Sequence, residues 1–497
     1  MSWLRLCFAL LCLAALPLIA APTLTAISPP GARTGSTNAV TAHGKFSVWP
    51  AQMWASHPGI RFTADTKKKG TFTVSVSNNV PVGPYLVRAH AKDGSSPAAF
   101  FVIGNLPELM EKEDNGTAAK GQAVTNFPVV VNGALSKSGD TDFFRIALER
   151  GQRLTASLDA YSLRSLIDPF IHVYDPRGHE VSVASDSHNL DPVMRFTAKE
   201  TGTYALQLFA VTHKASTSVR YSGRSDAVYR LTLRLEDGGI AAPNAAIVES
   251  RETNEVQVLR TPAILAGRLA KPCEIDRYQF AAKKGEQFLV RVESHRLGYP
   301  VDPVMVITRP GGRLLRETDD TKPYRDPEYL VKASEGNYTV EIRDRFLRGG
   351  EDCHYRLVIA PPEPDVEVTI DDDIIAFEAG KHTEIKLKIA RKNGHTAKLR
   401  AVINDLPNGV TAVEDKIAEK AKTATLKYFT ATNAPATSAA FRILLTEEAA
   451  AGKKLRKVSR SFVTGDSRGD YLLNGTDWLW LTVKPSAKSD SKKETKK

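Results

Sequence analysis

Residues 168–178 read Asp-Pro-Phe-Ile-His-Val-Tyr-Asp-Pro-Arg-Gly, and residues 302–312 read Asp-Pro-Val-Met-Val-Ile-Thr-Arg-Pro-Gly-Gly. Both open on Asp-Pro and close on a turn in which Pro fixes φ and Gly supplies a positive φ. The stretches lie 134 residues apart, and the same offset relates Asp142 to Asp276, Phe144 to Tyr278, Gly151 to Gly285, Asp186 to Asp320, Gly202 to Gly336 and Tyr204 to Tyr338. An offset shared by so many turn and aromatic positions marks an internal repeat. Beyond it the register slips: Tyr229-Arg-Leu231 pairs with Tyr355-Arg-Leu357 at 126, so the first copy carries a loop eight residues longer (134 against 126), around Ala215 to Asp226.

Each copy reads as β throughout. Gln152 to Leu158 and Gln287 to Val292 are apolar or alternating over strand length, and Tyr204 to Phe209 and Tyr338 to Ile342 repeat this before a final strand. Short strands at a spacing of roughly 8–12 residues, punctuated by Pro and Gly, predict a sandwich or jelly roll.

The ordered set Glu111-Lys-Glu113-Asp-Asn115, Gly139-Asp140-Thr-Asp142-Phe-Phe144, Gly151, Asp168-Pro169, Gly202-Thr-Tyr204 and Tyr229-Arg-Leu231 resembles the bacterial pre-peptidase C-terminal domain. The resemblance spans about residues 107–236 and, less closely, 250–360. The second copy has Pro272-Cys273-Glu274-Ile-Asp276 in place of the Gly-Asp-x-Asp turn and Ser250 in place of the first Glu. This likeness implies a jelly-roll-like β-sandwich of the kind appended to secreted peptidases or strung along surface proteins. In related collagen-binding domains the acidic linker and the Gly-Asp-x-Asp turn bind calcium, which takes six to eight oxygen ligands. Carried over, those ligands are Glu111, Glu113, Asn115, Asp140 and Asp142, with Gly116 standing where a further Asp is expected. The alternative is that Asp140 and Asp142 cap a turn and the two Glu are solvated. In the second copy Ser250 and Cys273 remove two ligands.

The flanks also read as β. Phe72, Val74 and Val76 alternate with Thr73, Ser75 and Ser77, and Asn78-Asn79, Pro81 and Gly83 lead into Tyr85 to Ala91, a half-buried hairpin by pattern. Ser28-Pro-Pro-Gly31 and Val82-Gly-Pro-Tyr85 resemble an immunoglobulin-like domain found at the head of bacterial surface proteins. Ile385, Leu387 and Ile389 alternate with Lys386 and Lys388, and Leu406-Pro-Asn-Gly-Val410 resembles a turn of bacterial immunoglobulin-like domains. Trp478 and Trp480, two apart, place both rings on one side, as core or as a sugar-stacking platform. The expected fold is therefore all-β: a leader at 1–20, an immunoglobulin-like domain at 21–104, jelly-roll-like copies at 105–240 and 241–362, a second immunoglobulin-like domain at 363–485, and a disordered basic tail at 486–497.

Arg5 followed by the apolar run Leu6 to Ala21 is too short for the ~20 residues of a membrane span and reads as a secretory signal peptide cut after Ala20. Cys7 and Cys12 leave with it, so Cys273 and Cys353 remain, an even pair in an oxidising compartment. First and last strands tend to lie close in jelly-roll-like sandwiches, which predicts a Cys273–Cys353 disulfide worth roughly 4 kcal/mol of loop entropy. Of the net charge of +11, the tail from Lys484 supplies +4, from six Lys against Asp490 and Glu494. It is either a solubilising tail or a tether to anionic surface polymers.

No stacking aromatics interleave with the basic residues, so nucleic acid is not an expected partner. No His-Glu-x-x-His, Gly-x-Ser-x-Gly or phosphate loop is present. The expectation is a non-catalytic protein, secreted or placed in the periplasm or at the cell surface, that contacts surface polysaccharide or extracellular protein. The other class is an accessory component of a secreted peptidase or hydrolase system.

Overall fold

The computed structural model describes residues 21–486 apart from 166, 188–189, 213–219, 237–241, 250–255, 322–324, 405, 414–415, 450–451 and 467–468. The expected leader, Ser250 and all of the tail beyond residue 486 lie outside the described residues. Within them the chain is all-β, with two single-turn 3-10 segments, Tyr161–Leu163 and His295–Leu297, and no α-helix. No described helix is long and apolar enough to cross a membrane.

The first copy is two five-stranded sheets packed face to face. One runs in the order Glu108–Met110, Val129–Ala134, Val228–Glu236, Arg153–Asp159, Val193–Thr197; the other runs Gln122–Val124, Thr141–Leu148, Gly202–Thr212, Ile167–Tyr174, Glu180–Ala184. Alternate residues point inward, so Phe144, Ile146, Ile171, Val173, Leu206 and Leu208 fill the core from the second sheet while their neighbours face out. The second copy repeats this order strand for strand, with His354–Ala360 between Ala263–Arg268 and Gln287–Glu293, and Gly336–Asp344 between Asp276–Ala282 and Pro303–Thr308.

The expected Cys273–Cys353 disulfide does not form in the structure. The last strand, His354–Ala360, pairs with Ala263–Arg268, whereas Cys273 leads into Asp276–Ala282, which belongs to the opposite sheet. Cys273 sits in a left-handed turn at φ 65 with its N–H donating to Leu347 O at 3.1 Å, and Cys353 is buried beside Leu269. Both are free thiols. Burial, with Asp352 and Asp344 adding to it, pushes the Cys353 thiol up to about 12, so it is an inert core group.

The N-terminal unit also corrects the expected hairpin. Thr71–Val76 and Gly83–Ala91 form as strands, but they lie in different sheets. Val80, buried between them, plugs the core as the chain crosses from one layer to the other. In the C-terminal unit His382–Lys392 buries Ile385, Leu387 and Ile389 as the alternation requires. There the strands join into one continuous ribbon, because Thr437–Ala449 pairs with Leu479–Lys484 at its start and with Gly452–Asp466 at its end.

Successive units dock through equivalent 3-10 turns. In the first copy Asp191 accepts the backbone N–H groups of Ala160, Tyr161 and Ser162 at 2.7–3.0 Å, and in the second Asp326 holds Ser294, His295 and Arg296 in the same way. Tyr161 and Leu163 pack on Leu86, Ala98 and Phe100 of the N-terminal unit, where Arg164 donates to Ala98 O at 2.6 Å. The turn of the second copy meets the first: Arg195 reaches Gly298 O at 3.3 Å and lies 5.9 Å from the centre of the Tyr299 ring. Arg153 also bonds Glu351 at 2.5 Å.

The last unit folds back onto the first. Trp54 meets Trp478 and Trp480 edge-on at 5.3 and 5.8 Å, and His90 lies 5.0 Å from Trp480. In the same joint Arg88 pairs with Asp373, both fully buried. The tryptophan pair thus shares one side, as its spacing predicts, and that side is neither a single-domain core nor an open sugar platform.

Candidate functional site

The structure gathers all five carboxylate and amide residues singled out by sequence at one edge of the first copy. Glu111 follows the strand Glu108–Met110 and accepts Ala134 N–H at 3.3 Å. Asn115 donates to Glu111 Oε1 at 3.3 Å, and its carbonyl accepts Phe143 N–H at 3.0 Å. Ser136 bridges the rest, bonding Glu113 at 2.8 Å and Asp140 at 3.0 Å. Asp142 is fully buried; its Oδ2 accepts the Tyr229 hydroxyl at 2.7 Å, and its Oδ1 has no backbone or hydroxyl donor. Burial, and then the facing Glu111 carboxylate, push Asp142 up to about 8, and burial likewise raises Glu111. The pair therefore holds a proton at neutral pH unless a cation takes its place. Gly133 makes the contact possible: a Cβ there would stand 2.3 Å from the Tyr229 hydroxyl and 2.8 Å from Glu111 Oε2.

Among the described residues, no three His, Cys, Asp or Glu side chains converge on a metal-sized point. The donor set is nevertheless all hard oxygen, which suits calcium and not zinc, and the buried Asp142 Oδ1, without a backbone or hydroxyl donor, is where the pair's proton or a cation would sit.

The second copy holds the same acid pair and tyrosine, whose linker member sequence reasoning misplaced. Its counterpart of Glu111 is Glu249, not Ser250: Glu111 N–H bonds Asn132 O and Glu249 N–H bonds Ala266 O, and their carboxylates accept from Ala134 and Arg268, 134 residues apart. Asp276 accepts the Tyr355 hydroxyl at 2.6 Å and Glu249 accepts the Tyr278 hydroxyl at 2.9 Å, while the two hydroxyl oxygens lie 2.5 Å apart. Gly267 lets Tyr355 approach as Gly133 does for Tyr229. The difference is Tyr278 where the first copy has Phe144. Its hydroxyl gives Glu249 a donor beside the Tyr355–Asp276 bond, whereas the Phe144 ring has no polar atom to offer the acid pair of the first copy.

A second feature, unmarked by sequence, lies on the outer face of the first copy. Phe143, Phe170, His172, Tyr174 and Phe209 point away from the core on adjacent strands. Phe170 and Phe209 stack at 5.4 Å with planes 6° apart, His172 stands 4.9 Å from Phe209, and Phe143 lies 6.3 Å from Tyr174. The inserted loop adds Tyr221, which bridges to Val211 and rests 4.7 Å from Phe209. An open cleft of about 680 Å³ runs along this face, lined by Phe143, Arg145, Tyr174, Gln207 and Tyr221 among others. The signal was the strand Ile167–Tyr174, where aliphatic Ile171 and Val173 alternate with Phe170, His172 and Tyr174. Because both faces are apolar, periodicity alone did not say which one faces water.

Comparison with known families finds the bacterial pre-peptidase C-terminal domain over residues 140–210. The first copy contains a pre-peptidase C-terminal domain. The match does not extend to the second copy, whose likeness to this domain is its strand order. No curated protein matches the chain. Among solved structures, the pre-peptidase C-terminal domain of collagenase from Bacillus anthracis is 12% identical over 22% of this chain and 99% of its own, with a TM-score of 0.18. The Bacteroides ovatus mixed-linkage glucan utilization locus protein SGBP-B, solved with a mixed-linkage heptasaccharide, is 10% identical over 66% of this chain and 71% of its own, at 0.16. The N-terminal four Ig domains of Dscam1 isoform 6.44 are 11% identical over 94% and 98%, at 0.20.

Proposed function

We propose that this chain is an exported, non-catalytic binding scaffold of the bacterial envelope or extracellular space, contacting polysaccharide or other surface proteins. The observation that carries this reading is the succession of docked sandwiches closed by the Arg88–Asp373 and tryptophan contacts between the first unit and the last. Such a body presents the outer faces of its sheets at fixed relative positions, which suits holding a partner in place. The pre-peptidase C-terminal domain supports a place outside the cytoplasm. It also favours the second reading, an accessory component of a secreted peptidase system. The test is a screen of residues 21–497 against surface polysaccharides and extracellular proteins, with peptidase and glycosidase substrates assayed in parallel. Binding without turnover is expected; turnover of any substrate, or binding to nothing, would sink the proposal.

In this reading calcium has a structural role in the pre-peptidase C-terminal domain, held by Glu111, Glu113, Asn115, Asp140 and Asp142. There it supplies positive charge where the acid pair otherwise keeps a proton. A cation that binds only the folded state stabilises it by about 2.7 kcal/mol at a hundredfold excess over its dissociation constant. Thermal melts should therefore rise by several degrees in calcium relative to chelator. The rise should vanish in Asp142→Asn and persist in Asp276→Asn. Identical melts with and without calcium would remove the metal from this account.

A further inference from the structure

We infer that the aromatic cleft on the outer sheet of the pre-peptidase C-terminal domain is a binding site for an acidic polysaccharide chain, an inference that rests on the binding-scaffold reading above and names its ligand.

The first argument is a comparison the chain carries within itself. The two copies share strand order, so residues 134 apart occupy equivalent places on the same outer face. Where the first copy has Phe143, Phe170, His172, Tyr174, Gln207 and Phe209, the second has Arg277, Val304, Val306, Thr308, Glu341 and Arg343. The second copy's face is closed by ion pairs, Arg277 to Glu341 at 2.8 Å and Arg343 to Glu317 at 2.6 Å. Such cross-strand pairs are an ordinary way to keep an outer sheet face soluble. The fold therefore does not require aromatic residues here. The first copy places five ring-bearing side chains on an outer face where its twin has two Arg, two Val and a Thr, and its longer loop adds a sixth ring, Tyr221, which is 38% exposed.

The second argument is the polar furniture of the cleft. Gln207, nearly buried, accepts the Tyr174 hydroxyl at 2.9 Å and donates to Thr141 Oγ1 at 3.0 Å, so the Tyr174 ring is held in place before any ligand arrives. Outside the cleft, on the same face, His172 is fixed by Glu180 at 2.8 Å. Arg145 is exposed at the cleft and makes no ion pair or hydrogen bond among the described residues. The site thus offers the Phe143, Tyr174 and Tyr221 rings, two phenols and one uncommitted positive charge. Pyranose rings present C–H faces to aromatic rings and hydroxyl rims to amides and phenols, and a uronic carboxylate matches Arg145 in charge and fork geometry. A volume of about 680 Å³ lies within the range of sites that seat several ring-sized groups.

The experiment measures binding of residues 21–497 to polygalacturonate and alginate, to neutral β-glucans, and to a proline-rich collagen-type peptide. The variants are Tyr174→Ala, Tyr221→Ala, Arg145→Gln and, on the second copy, Thr308→Ala. The expected result is binding to an acidic polysaccharide that weakens about tenfold or more in Tyr174→Ala and Tyr221→Ala and is unchanged in Thr308→Ala. Arg145→Gln should lose the preference for acidic over neutral chains. Melting curves check each variant; should Tyr174→Ala unfold, the surface changes Tyr221→Ala and Arg145→Gln carry the test. Binding of an acidic polysaccharide that ignores all three cleft variants overturns the cleft and leaves the scaffold reading standing. Binding of the peptide alone overturns the ligand class, and binding to nothing overturns both.

Discussion

Replacing Asp373 with Ala is expected to destabilise the joint between the first and last units by about 3–5 kcal/mol, the cost of leaving one member of a buried ion pair alone. Arg88 is fully buried, donates to Ser96 O at 2.9 Å with its other terminal nitrogen, and sits opposite Trp54 on the neighbouring strand. Removing the carboxylate takes away the counter-charge of a fully buried guanidinium. The double replacement Arg88→Met with Asp373→Leu should recover most of the loss, because an apolar pair of similar volume avoids desolvating two charges. Denaturant titration followed by tryptophan fluorescence reads this joint directly. A loss below about 1 kcal/mol, the scale of a solvent-exposed pair, would mean that the two units are not clasped in solution.

The second copy is expected to lose stability steadily as pH rises. Burial, followed by the facing Glu249, lifts Asp276 from its ordinary value of 3.8 to about 8. Glu249 is raised by burial as well, with Glu274 adding repulsion. A carboxyl whose folded value is raised stabilises the fold most when both states are protonated, below its ordinary value. That stability is lost as pH climbs through about 8, at about 1.4 kcal/mol per unit of difference. Between pH 5 and pH 9 the loss is on the order of a few kcal/mol, and Asp276→Asn, which keeps the Tyr355 bond and cannot ionise, should flatten the profile. Hydrogen exchange over Asp276–Ala282 and His354–Ala360, in chelator, isolates this copy. Protection that is equal at both pH values, or an Asp276→Asn profile as steep as the parent, would contradict a proton-held pair.

The repeat was legible because its markers are local. Asp-Pro and Pro-Gly turns carry their conformation in their own residues, so they keep their spacing wherever no loop intervenes. Where loops change length, register is lost: the linker offset is 138 between Glu111 and Glu249, and a register one residue off sets Ser250 opposite Glu111. The strand assignment behind the expected disulfide was shifted in a related way. Nearness of first and last strands holds for Ala263–Arg268, the strand before the one that Cys273 introduces.

Sequence by itself determined that this is a chain of short strands in two matching copies between β flanks, and it found the acid cluster of the first copy. These follow from side-chain alternation and turn chemistry, which act over a few residues. Only the tertiary structure decided which apolar face of Ile167–Tyr174 meets water, that Tyr278 closes the acid pair where Phe144 leaves it open, and that Arg88 finds Asp373 across 285 residues. Those outcomes depend on which strands become neighbours, and neighbourhood in a sandwich is set by the packing of whole sheets, not by any pattern within one strand.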